Sequence, residues 1–222
     1  MKIFYNFATR SRPEKFFKVL DNISSLARHD DYVILVSADS DDLTMFNREV
    51  QNRVAKYDKV HLYYGTSRNK IDAINRLPRL FKKYDILVNV SDDQLFLMEG
   101  FDLEIVKDMT EYFPDTDGFL FYPDSHAKQF LPTMSIMGKK YYDRFDFVYH
   151  PDYANVYCDN EALAVAELLG KIKFIDKAIF DHYHPAWGMA AMDDQYRISE
   201  NPESYWKDKG VFELRKANNF YL

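Results

Sequence analysis

The stretch Ile86-Leu87-Val88-Asn89-Val90-Ser91-Asp92-Asp93-Gln94 sets an apolar run directly before two adjacent carboxylates. An apolar run of this kind predicts a strand buried on both faces, as in a parallel sheet covered by helices. Working back toward the N-terminus, the same unit recurs. KVHLYY (59–64) precedes SRNKIDAINRL (67–77), a helix with Ser67 as its expected cap and Pro78 expected to end or kink it. DYVILVSAD (31–39) is a second buried run, followed by a helical stripe at Leu43, Phe46, Val50 and Val54. KIFYNFA (2–8) opens the chain, and Pro13 starts a helix with Phe16, Phe17, Leu20, Ile23 and Leu26 on one face. The first half therefore reads βαβαβαβ. The fold class is α/β, a mainly parallel sheet with right-handed crossovers and helices on both faces, and its ligands bind beyond the carboxyl ends of the strands.

Toward the C-terminus the pattern is less regular. A helix is expected near 101–113, strands near GFLFY and TMSIM, a helix from about Asp159 to Leu169, a strand near KAIFDHYH, and a helical tail from Pro202 to Lys216. PAWGMAAMDDQ (185–195), with Pro185 and Gly188, reads as a loop. No repeat or Gly/Ser linker divides the chain, so residues 1–222 are expected to form one domain, with a smaller subregion in the second half.

Composition narrows the function. The 222 residues are 47% apolar with a formal charge of -6, which fits a sizeable core and argues against a nucleic-acid grip based on overall positive charge. One cysteine, Cys158, excludes an internal disulfide framework and a cysteine-rich metal site, and points to a reducing, cytoplasmic interior. No run reaches membrane-spanning length, and the N-terminal apolar stretch is too short for a signal peptide. The seven glycines are too scattered for GxGxxG or a P-loop, so any phosphate must be held another way.

A divalent ion is one such way, and the carboxylates of Asp92 and Asp93 are hard ligands suited to Mn2+ or Mg2+. The ordinary alternative is a solvated turn with one aspartate capping a helix. The other strand ends are polar too: Ala8-Thr9-Arg10-Ser11-Arg12, Ser37-Ala38-Asp39 and Gly65-Thr66-Ser67-Arg68. Arg10, Arg12, Arg68 and Lys70 offer the positive charge that an acidic protein must place beside a diphosphate. Tyr157-Cys158-Asp159-Asn160-Glu161 opens a helix, where acids are also favoured by capping and by the dipole. On an extended strand His182 and His184 project to one face.

These residues resemble a glycosyltransferase of the GT-A (Rossmann-like) fold, most like family 2. The likeness rests on Ala8-Thr9-Arg10-Ser11-Arg12-Pro13, Ser37-Ala38-Asp39, Ser67-Arg68-Asn69-Lys70 with Ala73 and Asn75, and Ser91-Asp92-Asp93, and it covers about the first hundred residues. It implies a donor half over 1–100 and an acceptor and catalytic half over 101–222. Thr9, Arg10, Arg12 and Asp39 would cradle the nucleotide, with Arg68 or Lys70 facing it. Ser91 stands where the family's Asp-x-Asp motif has its first acid, which puts Asp92 on ribose or sugar and Asp93 on the metal. The resemblance further implies Asp159 as catalytic base with Glu161 in reserve, and His182 as a late metal ligand. His184 is a second ligand, an orienting group or a phosphate contact, and Trp187 stacks on a sugar, closes the site or packs on its own loop.

The expected activity is metal-dependent transfer of a sugar from a nucleotide-diphosphate donor, UDP-linked, to an acceptor hydroxyl with inversion. A nucleotidyltransferase is an alternative, although such enzymes carry a glycine-rich loop after the first strand and this chain has no glycine before Gly65. A non-catalytic carbohydrate-binding protein is the other. The sugar, the acceptor (glycan, small molecule or modified base) and the oligomeric state leave no mark in the sequence.

Overall fold

The computed structural model describes residues 1–185, 188–199 and 201–222. Four parallel strands form one half of a seven-stranded sheet: β1 (Ile3–Ala8), β2 (Tyr32–Asp39), β3 (Val60–Gly65) and β4 (Ile86–Val90), in the spatial order β3-β2-β1-β4. Register pairs Ala8 with Ser37, Asp39 with Gly65 and Phe7 with Val90, so the polar ends of all four strands reach one rim. A short β5 (Gln94–Phe96) follows β4 at the rim. The sheet continues with β6 (Phe119–Phe121), β7 (Ile136–Gly138) and β8 (Ile172–Phe174); β7 runs antiparallel between β4 and β6, and β8 lies parallel to β6. A separate two-stranded ribbon pairs β5 with β9 (Phe180–His182).

Side-chain alternation along the strands divides the core. Ile3, Tyr5 and Phe7 point to the face covered by α1 (Pro13–Leu26), α2 (Arg48–Val54) and α4 (Phe101–Tyr112), where Phe16, Leu20, Val50 and Ile105 pack. Phe4, Leu35 and Leu87 point to the other face, against Ile71, Ile74 and Leu77 of α3 (Lys70–Leu80) and Ala166 of α6 (Cys158–Leu168). The short α5 (Lys139–Tyr142) adds Tyr141 and Tyr142 there. This is the expected α/β sandwich. No helix of the described residues is long and apolar enough to cross a membrane.

Several local expectations are corrected. The stripe at Leu43 and Phe46 is not helical: Leu43 is 75% exposed, and α2 begins only after Asn47, whose side chain accepts the Val50 N–H at 3.0 Å. Asp42 explains this, because its carboxylate accepts from the Thr44 N–H and hydroxyl and from the Ser11 N–H, holding a turn in place of a helix. The cap of α3 is Asn69, with Ser67 drawn away to Asp39. Pro78 lies inside α3, which runs on to Leu80. The stretch read as a loop gives way to α7 (Asp194–Ser199), ahead of the long α8 (Pro202–Ala217).

Candidate functional site

From β1 the chain proceeds to β2 on one side while β4 lies on the other, so the crevice between the ends of β1 and β4 is a point where the connections diverge. Asp92 sits in it. Thr9 donates its hydroxyl to Asp92 Oδ2 at 3.0 Å, and Arg12 Nη1 donates to Oδ1 at 2.9 Å. Burial pushes the Asp92 carboxyl up, against the opposing pull of Arg12. Arg12 is itself enclosed: Nη2 reaches Asp193 at 2.7 Å and the guanidinium lies over the Tyr196 ring, 3.8 Å from its centre. Lys15 makes a second contact to Asp193 at 2.7 Å.

Asp93 is beside His182. The ribbon registers Gln94 against His182, and the Tyr183 N–H donates to the Asp93 carbonyl at 2.7 Å, so the pairing of β5 with β9 fixes the two side chains together. Nε2 of His182 stands 3.3 Å from Asp93 Oδ1, which also accepts the Ser91 hydroxyl at 2.5 Å; Oδ2 accepts the Tyr196 hydroxyl at 2.8 Å. Burial raises the Asp93 carboxyl, but His182, then Lys70 and Ser91, outweigh it and hold the group well below the usual carboxylate range. The His184 ring lies 5.3 Å from that of His182 and meets Tyr196 edge-on.

Among the described residues no group of three or more His, Cys, Asp or Glu side chains is placed to hold a metal ion. Asp93 and His182 offer one carboxylate and one imidazole, which suits an ion whose remaining ligands come from substrate phosphate and water. The donor set carries that fit: His182 Nε2 and Asp93 Oδ1 face each other, so a single ion can take one nitrogen and one oxygen from the pair.

Asp39 closes the end of β2. Its Oδ1 accepts Ser67 Oγ at 2.7 Å and Arg76 Nη2 at 2.7 Å, and its Oδ2 accepts Arg10 Nη1 at 2.9 Å; Arg10 also forks onto Asp41. Arg76, one turn along α3 from Asp72, is a rim residue that the sequence reading missed; its contacts to the Ala38 carbonyl and Asp39 hold it there. Arg68 lies outside this cluster: its guanidinium, 78% exposed, pairs with Asp72 in the first turn of α3, just after it in the chain.

Lys70 at the start of α3 and Asp159 at the start of α6 face a cavity of about 100 Å³ that His182, Asn89, Thr133 and Asn155 also line. Burial pushes the Asp159 carboxyl up, and the nearby Lys70 and His182 only partly offset it. Glu161 is elsewhere. Two residues along a helix turn a side chain to the far side, and there Glu161 accepts Tyr153 at 2.7 Å and Arg215 Nε at 2.8 Å, inside the second core. Trp187 lies outside the described residues.

The loop leading into α6 has its own anchor, unforeseen from sequence. Asp208 of α8 is fully buried and accepts the N–H groups of Ala154, Asn155 and Val156 at 2.8–2.9 Å. Tyr157 then enters the helix with φ +62°, the left-handed region that ordinary side chains rarely occupy.

No protein-family model and no curated protein matches the chain by sequence. Solved structures match it by fold. The mannosyltransferase PcManGT from Pyrobaculum calidifontis, in complex with GDP-Man and Mn2+, superposes with a TM-score of 0.63 at 16% identity, over 79% of this chain and 54% of that one. S. aureus TarS 1-349 in complex with UDP gives 0.65 at 10% identity, over 82% and 60%, and the same protein with UDP-GlcNAc gives 0.62 at 13%, over 82% and 58%. The chain thus spans somewhat more than half the length of these solved chains. Its mainly parallel seven-stranded sheet with helices has the fold of GT-A-like glycosyltransferases.

Proposed function

We propose that the chain transfers a sugar from a nucleotide-diphosphate donor, UDP-linked, to an acceptor hydroxyl, with residues 1–100 serving the donor and 101–222 the acceptor. One observation carries the reading: His182, Lys70 and Asp159 line one cavity at the carboxyl rim of a fold used by nucleotide-sugar enzymes, and Asp93 stands beside it, 3.3 Å from the His182 ring. The cluster at Asp39, with Arg10 and Arg76, is the place for base and ribose. Arg12, with Thr9 and Asp92, faces the sugar and diphosphate.

In this reading Asp159 takes the proton of the acceptor hydroxyl as its oxygen bonds to the anomeric carbon and the bond from that carbon to the diphosphate breaks. A single displacement inverts configuration. Burial suits Asp159 to the task, since a carboxyl raised in pKa is a stronger base once ionised. Asp93 and His182 would hold a divalent ion such as Mn2+, which supplies charge to offset that developing on the leaving diphosphate. Lys70 and Arg12 add fixed positive charge on the same side.

A thermal-shift screen of UDP- and GDP-sugars with and without Mn2+ tests the proposal. Stabilisation by a donor, slow donor hydrolysis, and loss of both in Asp93→Ala are expected. A chain stabilised by no nucleotide sugar under either condition is not such an enzyme.

A further inference from the structure

The ring of His182 is flanked by two carboxylates. On its Nε2 side stands Asp93, and on its Nδ1 side Asp124, whose Oδ2 lies 3.8 Å away. That is beyond a hydrogen bond, yet Nδ1 is buried and has no other partner among the described residues. Asp124 is closely held. Its side chain has no exposure; Oδ1 accepts the N–H groups of His126 at 2.8 Å and Ala127 at 2.5 Å, and Oδ2 accepts the Thr133 hydroxyl at 2.7 Å. The turn that carries it is tied to β9 as well: Asp181 accepts the Ser125 hydroxyl at 2.8 Å and the Ser125 N–H at 3.2 Å, one residue from His182.

With three acceptor contacts made, the buried carboxylate retains one unused lone-pair direction, and the His182 Nδ1 stands 3.8 Å from its Oδ2. We infer that Asp124 is a positioning residue: it accepts the Nδ1–H of His182 and fixes the ring's rotation, so that Nε2, which faces Asp93, is the nitrogen that gives up its proton and presents its lone pair when a cation binds there. A modest turn of the imidazole closes the gap. The inference rests on the proposed function for its purpose, because an Nε2 presented beside a carboxylate is what a divalent cation needs, and outer-shell carboxylates of this kind raise ligand basicity. Its physical content, the place of one proton, does not depend on which substrate the protein takes.

The test replaces Asp124 with asparagine. The amide oxygen keeps the His126 and Ala127 contacts, while the amide nitrogen now faces Nδ1 and can only donate, so the proton must move to Nε2. With 15N-labelled histidine, NMR of the metal-free and Mg2+-loaded protein should show His182 Nδ1 protonated in the wild type and unprotonated in Asp124→Asn. Mn2+ affinity measured by EPR should fall by about 10–100-fold. An unprotonated Nδ1 in the wild type, or an Nδ1 still protonated in the variant, overturns the assignment; if the variant does not fold, the wild-type signal decides alone. A protonated Nδ1 in a protein that binds no nucleotide sugar would leave this inference standing and remove only the transferase reading.

Discussion

Asn6 supplies the hydrogen bond that Pro78 takes away. Pro78 has no N–H to give the carbonyl of Ile74 one turn earlier in α3, and the Asn6 amide on β1 donates to that oxygen at 2.9 Å from the neighbouring strand, while also reaching Asn89 Oδ1 at 2.9 Å. A proline inside the helix is thus accommodated, and α3 continues past it to Leu80.

Removing Asn6 should therefore be costly in proportion to what it leaves bare. Asn6→Ala strands a buried carbonyl and a buried amide oxygen, for a loss of about 2 kcal/mol in urea unfolding. In a Pro78→Ala background the restored backbone N–H serves Ile74, and the same substitution should cost measurably less. Equal losses in both backgrounds would mean that the Ile74 contact contributes nothing.

The two acids at the start of α6 are separable by experiment. Glu161→Gln leaves Arg215 buried without its counter-charge and should destabilise by about 3–5 kcal/mol, with little change in donor hydrolysis per folded molecule. Asp159→Asn removes a carboxylate that burial disfavours, so stability should hold or rise while transfer to the acceptor falls by at least ~100-fold. The reverse pattern, an active Asp159→Asn and a stable but inactive Glu161→Gln, would make Glu161 the base.

The raised Asp159 carboxyl also has a pH signature. A carboxyl whose pKa is higher in the folded state binds its proton more tightly there, so its contribution to stability is full below the ordinary aspartate range and is lost as pH rises through the folded pKa. Wild type should lose stability relative to Asp159→Asn across that interval. The acid limb of kcat/KM for transfer should lie above the ordinary aspartate range, because the base works only when ionised. A limb at the solvated aspartate value would place the base elsewhere.

How much of this was legible beforehand depends on the range of the interactions. The runs at 31–39 and 84–90 announce buried strands because a strand covered on both faces cannot alternate, and the acids that end them follow directly. Pairing of Asp93 with His182 could be read only through the family likeness; the register that produces it belongs to a ribbon joining residues some ninety positions apart. Ser67 failed as a cap because Asp39, from another strand, offers it a charged acceptor. Tyr196, Asp208 and Arg76 carried no local signal, since each acts through a partner distant in sequence. Asp124 did carry one: FLFYPD repeats the pattern of an apolar strand ending in an acid that drew attention to Asp93.

Asp193 bears on donor affinity through charge. Arg12 and Lys15 overcome its burial and hold its carboxyl well below the usual range, so it stands ionised between the two cations that a diphosphate approaching Asp93 would meet. A donor must either displace it or bind beside a like charge, and both weaken binding. Asp193→Asn should therefore tighten UDP in the presence of Mn2+, by about 5–10-fold in titration calorimetry at low salt, with the gain shrinking as salt screens the charges. Arg12→Ala should weaken the same binding despite leaving Asp193 less constrained. If Asp193→Asn weakens UDP as much as Arg12→Ala does, the carboxylate is holding Arg12 in its binding position and is not competing with the phosphates.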